Sequence, residues 1–258
     1  MSVVLTEWSG CVLRITLNRP DVRNAFDEEV IAALISVAKD AAADPGLRAI
    51  VLAGSGQSFC AGADLAWMTK AIAYTREENR RDAEDLARML ELLDTLPVPL
   101  IARVHGGALG GGAGLVAVSD IAVAADDTVF GFTETKLGII PAVISPYVLG
   151  KIGSSAAREL FLTGARFTAK RARRIGLVHR VVSKSQLDDT VDEYLREIFT
   201  SGPHAVSATK GLLREIRGSR SEDVIGLTTT RIADQRISPE GQEGMHAFLQ
   251  KRKPNWIP

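Results

Sequence analysis

The apolar and polar positions of residues 3–17 read as two strands, with Ser9-Gly10 as the turn between them. Asn18-Arg19-Pro20 ends the pair. From about Asp27 the period changes, and Val30, Leu34, Val37 and Ala41 fall on one helical face until Asp44-Pro45-Gly46 stops it. The run 48–53 is continuously apolar after Arg48 and reads as a buried strand. Thr75-Arg76-Glu77-Glu78 has the form of a capping box. The helix it opens carries Leu86, Met89, Leu90 and Leu93 at helical spacing and ends before Pro97 and Pro99. Residues 100–104, 120–124 and 128–130 read as further strands. Thr168 caps a helix that Gly176 closes, and 178–182 is the next strand. From about Leu187 the pattern is helical, broken at Gly202-Pro203, and continues as separate helices to Lys251. Strands and helices alternate first and helices dominate afterwards, which predicts an α/β core with a helical C-terminal extension. The expected division is a core over 1–199 and a helical region over 200–258.

Two segments of small residues stand out: Phe59-Cys60-Ala61-Gly62-Ala63-Asp64-Leu65, and the run from Gly106 to Leu115 with Gly110-Gly111-Gly112 at its centre. Each follows an expected strand and leads into a helix. Such junctions direct free backbone N–H groups to one spot, and the helix dipole adds a preference for negative charge there. Glycine and alanine let a ligand oxygen come close to the main chain. Two converging junctions would make an oxyanion hole from backbone alone.

Composition narrows the classes. Hydrophobic residues are 46% and charged residues 24%, as in a globular protein, and 31 basic residues balance 31 acidic ones. A zero balance offers no general attraction to phosphate, so nucleic acid is not an expected partner. The cluster Lys170-Arg171-Ala172-Arg173-Arg174 is read as a solvated helix face, with anion contact as the alternative. No secretory signal and no apolar stretch of membrane-spanning length is visible, so the expectation is a cytoplasmic protein without membrane contact. Cys11 and Cys60 fit a reducing compartment. Cys60 lies in the first small-residue segment but has no evident partner to lower its pKa, so core packing is expected. The four histidines show no metal spacing, and His105 is read as a structural residue. Neither a dinucleotide fingerprint, a P-loop nor a G-x-S-x-G elbow is present.

Taken together the motifs resemble the crotonase (enoyl-CoA hydratase/isomerase) family. The resemblance runs from Asn18-Arg19-Pro20 with Asn24-Ala25, through both small-residue segments and Asp120-Ile121, to Phe130-Gly131 with Glu134 and Leu137-Gly138-Ile139-Ile140-Pro141. It ends at Glu243-Gly244-Met245, Phe248 and Lys251-Arg252-Lys253-Pro254. It implies a spiral of ββα turns and a helical C-terminal region that forms trimers, often paired into hexamers. It implies a coenzyme A thioester substrate, with coenzyme A part of that substrate rather than a separate cofactor, and no metal. By position, Ala61 and Gly111 would donate the two oxyanion N–H groups and Glu134 would be the catalytic carboxylate. Gly110 would adjoin the substrate, Arg23 would sit near the CoA phosphates, and Ala25, Ala63, Asp64 and Leu65 would lie near the adenine. Phe248 and Lys251 would approach the CoA from a neighbouring subunit.

Hydratases of this family usually carry a second glutamate after the glycine loop, where this chain has Gly114. One carboxylate could still relay both parts of a water added to one face, and it would suffice for a double-bond shift. Gly114 together with the segment from Pro141 to Tyr147 is similar to hydratases of branched or carboxylated enoyl-CoAs, such as methylglutaconyl-CoA hydratase. That is the favoured expectation. A Δ3,Δ2-enoyl-CoA isomerase, a catalytically weak acyl-CoA binder and a thioester hydrolase are the alternatives. Lys70 is a candidate partner for a substrate carboxylate, with a plain solvated lysine as the other reading. For Glu134 the competing reading is a surface carboxylate bound to Lys136 or another cation.

Overall fold

A computed structural model describes residues 2–219 and 222–257. Six strands form the main sheet in the order β1-β2-β3-β4-β6-β9. They are β1 (Val4–Ser9), β2 (Val12–Leu17), β3 (Ala49–Gly54), β4 (Leu100–Val104), β6 (Ile121–Ala125) and β9 (Arg180–Val182). Among the described residues of this sheet the β1–β2 hairpin is antiparallel and the other pairs run parallel. Parallel strands covered on both faces should be apolar throughout, and β3 with the sequence Ala-Ile-Val-Leu-Ala-Gly is buried at every position but one.

A second sheet holds β5 (Gly107–Leu109), β7 (Val129–Gly131) and β8 (Arg166–Thr168) in the order β5-β7-β8. An isolated parallel bridge from Cys60 to Ala108 extends it by one position. The chain therefore visits the main sheet, then the small sheet, then a helix, three times in succession. The helices that close these turns are α2 (Leu65–Ile72) with α3 (Arg76–Asp94), α4 (Gly111–Val118) and α5 (Ser145–Thr163). This is the expected ββα spiral.

α1 (Glu28–Ala43) starts at Asp27, whose carboxylate accepts the Val30 N–H at 2.9 Å. It buries Val30, Ile31, Leu34, Ala38 and Ala41; Val37, expected on that face, is only half-buried. The capping box of α3 forms as expected, with Thr75 and Glu78 each bonding the other's backbone N–H. Side chains of α1, α3, α4 and α5 make one core with the main sheet. On the opposite face Val12, Val51, Ile101 and Val123 pack against Leu187, Val191 and Leu195 of α7 (Leu187–Thr200). α6 (Ala169–Arg174) is capped by Thr168 as expected. It carries the basic cluster, in which Arg171 pairs with Glu159 at 2.7 Å and Lys170, Arg173 and Arg174 are exposed.

α8 (Pro203–Gly218), α9 (Val224–Ile237) and α10 (Pro239–Leu249) follow, and all three pack on one another. None of the described residues of α8 or α9 is fully buried. Among the described residues, no helix is long and apolar enough to cross a membrane.

The sequence reading did not anticipate α5, β5 or β8. α5 contains Gly150 and Gly153, and Gly153 has φ +71, which interrupts the helical period. The strands β5 and β8 are three residues each, too short for a pattern to register.

Leu34 is fully buried between sheet and helices, so Leu34→Ala is expected to cost roughly 2–5 kcal/mol. At about 2–4 °C per kcal/mol, thermal denaturation should show the melting temperature fall by roughly 4–20 °C. Val37→Ala, at a half-buried position, should cost roughly 1 kcal/mol or less by the same measurement.

Candidate active site

The site is set by where three loops meet. The loop after β3 is tied to the start of the next turn through Phe59 N–H to His105 O (2.9 Å), Cys60 N–H to Gly107 O (3.0 Å) and Leu109 N–H to Cys60 O (3.0 Å). The loop after β5 is tied to β7 by Gly110 N–H to Gly131 O at 2.8 Å. Glu134 opens a single 3-10 turn after β7, Glu134–Leu137, that Gly138 closes at φ +76. Thr135 anchors this turn to α5 by donating to Phe161 O at 2.8 Å. Beneath it, Phe132 packs edge-on against Phe161 with ring centroids 5.1 Å apart.

The approach of these loops leaves no room for side chains. A Cβ on Gly62 would lie 2.9 Å from Leu109 O and 3.8 Å from the Gly110 Cα. A Cβ on Gly110 would lie 3.3 Å from Glu134 Oε1 and 3.9 Å from the Gly62 Cα. The two small-residue segments and the Glu134 carboxyl therefore converge on one place.

The available N–H donors differ from the expected pair. Ala61 N–H is donated to Arg23 O at 3.0 Å, so it is engaged inside the fold. Asp64 N–H goes to Phe26 O at 2.8 Å. Between them, past the turn at Gly62 (φ +93), Ala63 is exposed and its N–H has no partner among the described residues. On the other loop, Gly111 is the first residue of α4, whose cap Gly110 offers no side-chain acceptor. First-turn N–H groups have no partner inside a helix, so that of Gly111 stays open to a ligand, with the positive end of the helix dipole behind it.

Glu134 is half-buried, and its Oε2 is enclosed without a hydrogen-bond partner. Among the described residues it has no ion-pair partner, so the reading in which Lys136 or another cation neutralises it does not hold. Burial pushes its pKa above the usual carboxylate range, partly offset by its own backbone N–H. A carboxyl held this way can exchange a proton with a neighbouring carbon or water.

Position 114 is buried in α4, and Ile144 lies against it. A Cβ there would run into the Ile144 Cγ2 methyl and come within 3.1 Å of its Cβ. An isoleucine thus covers the point where a second carboxylate would start.

The remaining expected residues divide into engaged and free. Asp64 caps α2 by accepting from Ala66 N–H (2.7 Å) and Trp67 N–H (3.4 Å), and it pairs with Arg19 at 3.0 Å. Burial works against its charge, but these partners outweigh that and hold its pKa down. Arg19 also pairs with Asp27 at 2.9 Å and donates to Ala25 O at 2.7 Å. The Asp64 side chain and the Ala25 carbonyl are therefore committed to the fold. Arg23, held at φ +54, is exposed, and among the described residues its guanidinium has no ion pair. Leu65 is 81% exposed at the start of α2. Phe248, 82% exposed, is the last residue but one of α10, and Lys251 follows the helix at φ +55. No hydrogen bond among the described residues joins either of them to the loops around Glu134. Lys70 is exposed and bound to Glu28 at 2.9 Å.

Two side chains near the loops are structural, as expected. Cys60 is fully buried, and burial pushes its thiol up to about 12, far from a thiolate nucleophile. His105 is buried with Nε2 3.0 Å from Gly56 O, and burial lowers its pKa.

Sequence reasoning missed Asn24 as an organiser. Buried at φ +57, it accepts from Arg19 N–H at 2.8 Å and donates to Ser55 O (2.8 Å) and Ser58 O (2.7 Å). Its signal was its place between Arg23 and Ala25 in a turn, where asparagine tolerates a left-handed backbone.

A family model for enoyl-CoA hydratase/isomerase matches residues 7–257. A crystal structure of an enoyl-CoA hydratase from Shewanella pealeana is similar at 38% identity, with 98% of this chain and 96% of that chain covered and a TM-score of 0.94. The structure of Pseudomonas aeruginosa AtuE is similar at 40% identity, covering 99% and 100%, with a TM-score of 0.95. A curated Mycobacterium bovis protein named "Probable enoyl-CoA hydratase echA8" is 36% identical over 262 residues, 98% of this chain and 97% of its own. The fold and these likenesses define an enzyme of the ββα-spiral class. The chain belongs to the enoyl-CoA hydratase/isomerase, or crotonase, family.

The raised Glu134 pKa has a definite sign. A carboxyl whose folded pKa exceeds its unfolded value favours the fold fully only below the unfolded value, near pH 4.3, and that contribution is lost as pH rises through the folded pKa. Glu134→Gln is therefore expected to melt higher than the parent at pH 7, with the difference closing towards pH ~4 in a series of thermal melts. Gly114→Ala, which forces a methyl onto Ile144, is expected to lose roughly 1–3 kcal/mol in a denaturant titration.

Proposed function

We propose that the chain hydrates the 2,3 double bond of an enoyl-CoA thioester, with Glu134 as the one carboxylate that moves protons. The observation that carries this reading is the Glu134 carboxyl, unpaired and half-buried, lying against Gly110 where the two small-residue loops meet. Water addition to an enoyl thioester passes through an enolate whose oxygen gains negative charge. The N–H groups of Ala63 and Gly111 are assigned to that oxygen, since the N–H of Ala61 is taken by Arg23 O. Each such donor is worth roughly 3–4 kcal/mol in related acyl chemistry. Glu134 takes a proton from the water as the water oxygen bonds Cβ, and returns that proton to Cα of the enolate, which regenerates the carboxylate. Relatives named as enoyl-CoA hydratases support the choice of reaction.

The favoured substrate is branched or carboxylated, of the methylglutaconyl-CoA kind, on the likeness of Gly114 and Pro141 to Tyr147 noted above. Arg23, with its free guanidinium, suits the CoA phosphates. The exposed backbone at Ala63 and Leu65 suits the adenine. Lys70 is drawn to Glu28, so a role for it towards a substrate carboxylate requires that pair to open. The exposed apolar side chains of the C-terminal helices, Ile225, Ile237, Phe248 and Leu249 among them, support assembly into trimers or paired trimers. Phe248 and Lys251 would then reach the CoA of a neighbouring subunit.

The contact of Ile144 with Gly114 favours one other reading, a Δ3,Δ2-enoyl-CoA isomerase, because a double-bond shift needs only one carboxylate.

Turnover of 3-methylglutaconyl-CoA, crotonyl-CoA and a 3-enoyl-CoA, each with the parent and with Glu134→Gln, tests both readings. Water addition that is fastest on the carboxylated substrate and falls roughly 10²–10⁴-fold in the variant is the expected result. A double-bond shift without water addition would replace hydration with isomerisation. An unchanged rate in the variant would remove Glu134 from the reaction.

A further inference from the structure

A cleft of about 410 Å³ opens at the end of α4 opposite Gly111, between Asp120, the early turns of α5 and one face of α8. α4 spans about 12 Å at 1.5 Å per residue, so the cleft and the Glu134 carboxyl lie at opposite ends of that helix. Glu134 is not among its walls, and neither small-residue loop contributes to it.

Four cations line the cleft, Lys151, Lys210, Arg214 and Arg217, against two carboxylates, Asp94 and Asp120. Asp120 is paired: its Oδ2 accepts Lys210 Nζ at 2.7 Å and the Leu100 N–H at 2.7 Å. The Lys151 ammonium reaches only the Asp120 backbone carbonyl, at 3.2 Å. Among the described residues it forms no ion pair with a carboxylate, and burial lowers its pKa. Arg214 and Arg217 are neighbours on the face of α8, three residues apart. The Arg217 Cζ sits 3.6 Å from where a Cβ on Gly150 would be, which places the guanidinium beside α5. Both arginines act electrostatically on Asp94, but among the described residues neither forms an ion pair with it. Three cations thus face one free carboxylate. Tyr147 adds a hydroxyl to the wall, with no hydrogen bond of its own among the described residues.

We propose that this cleft binds a small organic oxyanion carrying two or more negative charges, a carboxylate or a phosphate ester. Arg214, Arg217 and Lys151 pair with its oxygens and the Tyr147 hydroxyl donates to it. The volume is in the range that holds a small molecule, and the apolar walls at Pro99, Val206 and Leu213 accept its carbon skeleton. Guanidinium groups suit carboxylate and phosphate alike, so the chemistry fixes the oxyanion and the probes separate its two forms.

The test is calorimetric titration of the full chain with citrate and with inorganic phosphate, each with and without saturating CoA. The parent is compared with Arg214→Gln/Arg217→Gln and with Arg173→Gln/Arg174→Gln, which makes the same charge change on α6. Both pairs are exposed, so folding is not at stake. The expected result is binding of one or both probes to the parent, unaffected by CoA. It should weaken roughly tenfold or more in the α8 variant and stay unchanged in the α6 variant. Tighter binding of citrate than of phosphate would identify a polycarboxylate site, and the reverse order a phosphate site. Absence of binding to the parent, equal weakening in both variants, or displacement by CoA would each overturn the proposal.

Discussion

The whole site depends on how closely backbone can approach backbone. The loop after β3 and the loop after β4 touch at Gly106 against Gln57 O, at Gly112 against Cys60 O and at Gly62 against Leu109 O. A side chain at any of these points would have to push main chain aside, and main chain in this region is already hydrogen-bonded. The bonds from Phe59, Cys60 and Leu109 that join the loops form only at this spacing. Everything the site offers, an unpartnered N–H on each loop among the described residues and a carboxyl beside them, follows from that contact. The small residues are there because the packing excludes anything larger.

A second constraint holds the first loop from the other side. Arg19 joins Asp27 and Asp64, the caps of α1 and α2, and also binds Ala25 O. Asn24 reaches from the same turn to Ser55 and Ser58. These groups are mostly shielded from water, where charge-assisted bonds are stronger than at a free surface. The segment 18–27 thereby acts as a clamp. It fixes which N–H groups of the loop turn inward and which remain outside.

That clamp explains both what was readable in advance and what was not. Glu134, Gly111 and the two loops announce themselves by residue type and by their places between strand and helix. The choice between Ala61 and Ala63 does not, because it depends on a partner, Arg23 O, that lies 38 residues earlier in the chain. Lys70 looked free in sequence for the same reason; Glu28 meets it only in the fold. The strands β3 and β4 and the helices α1 and α3 were legible from apolar runs, helical spacing and caps. α5 was not, since its glycines hide the period and its burial comes from α4 and the turn at Glu134–Leu137. The cleft beside α8 had no sequence signature at all. Its walls come from α3, α4, α5 and α8, and only the topology assembles them.

The contact of Ile144 with Gly114 also limits how this enzyme can change. A carboxylate at position 114 would need its stem to pass through the space Ile144 fills. Ile144 in turn is buried immediately before α5, so shrinking it alone opens a hole in the core. Each single step is therefore uphill, and only a paired exchange at the two positions leads to a two-carboxylate site. Packing thus keeps position 114 free of a carboxylate, and drift at either residue alone does not change that.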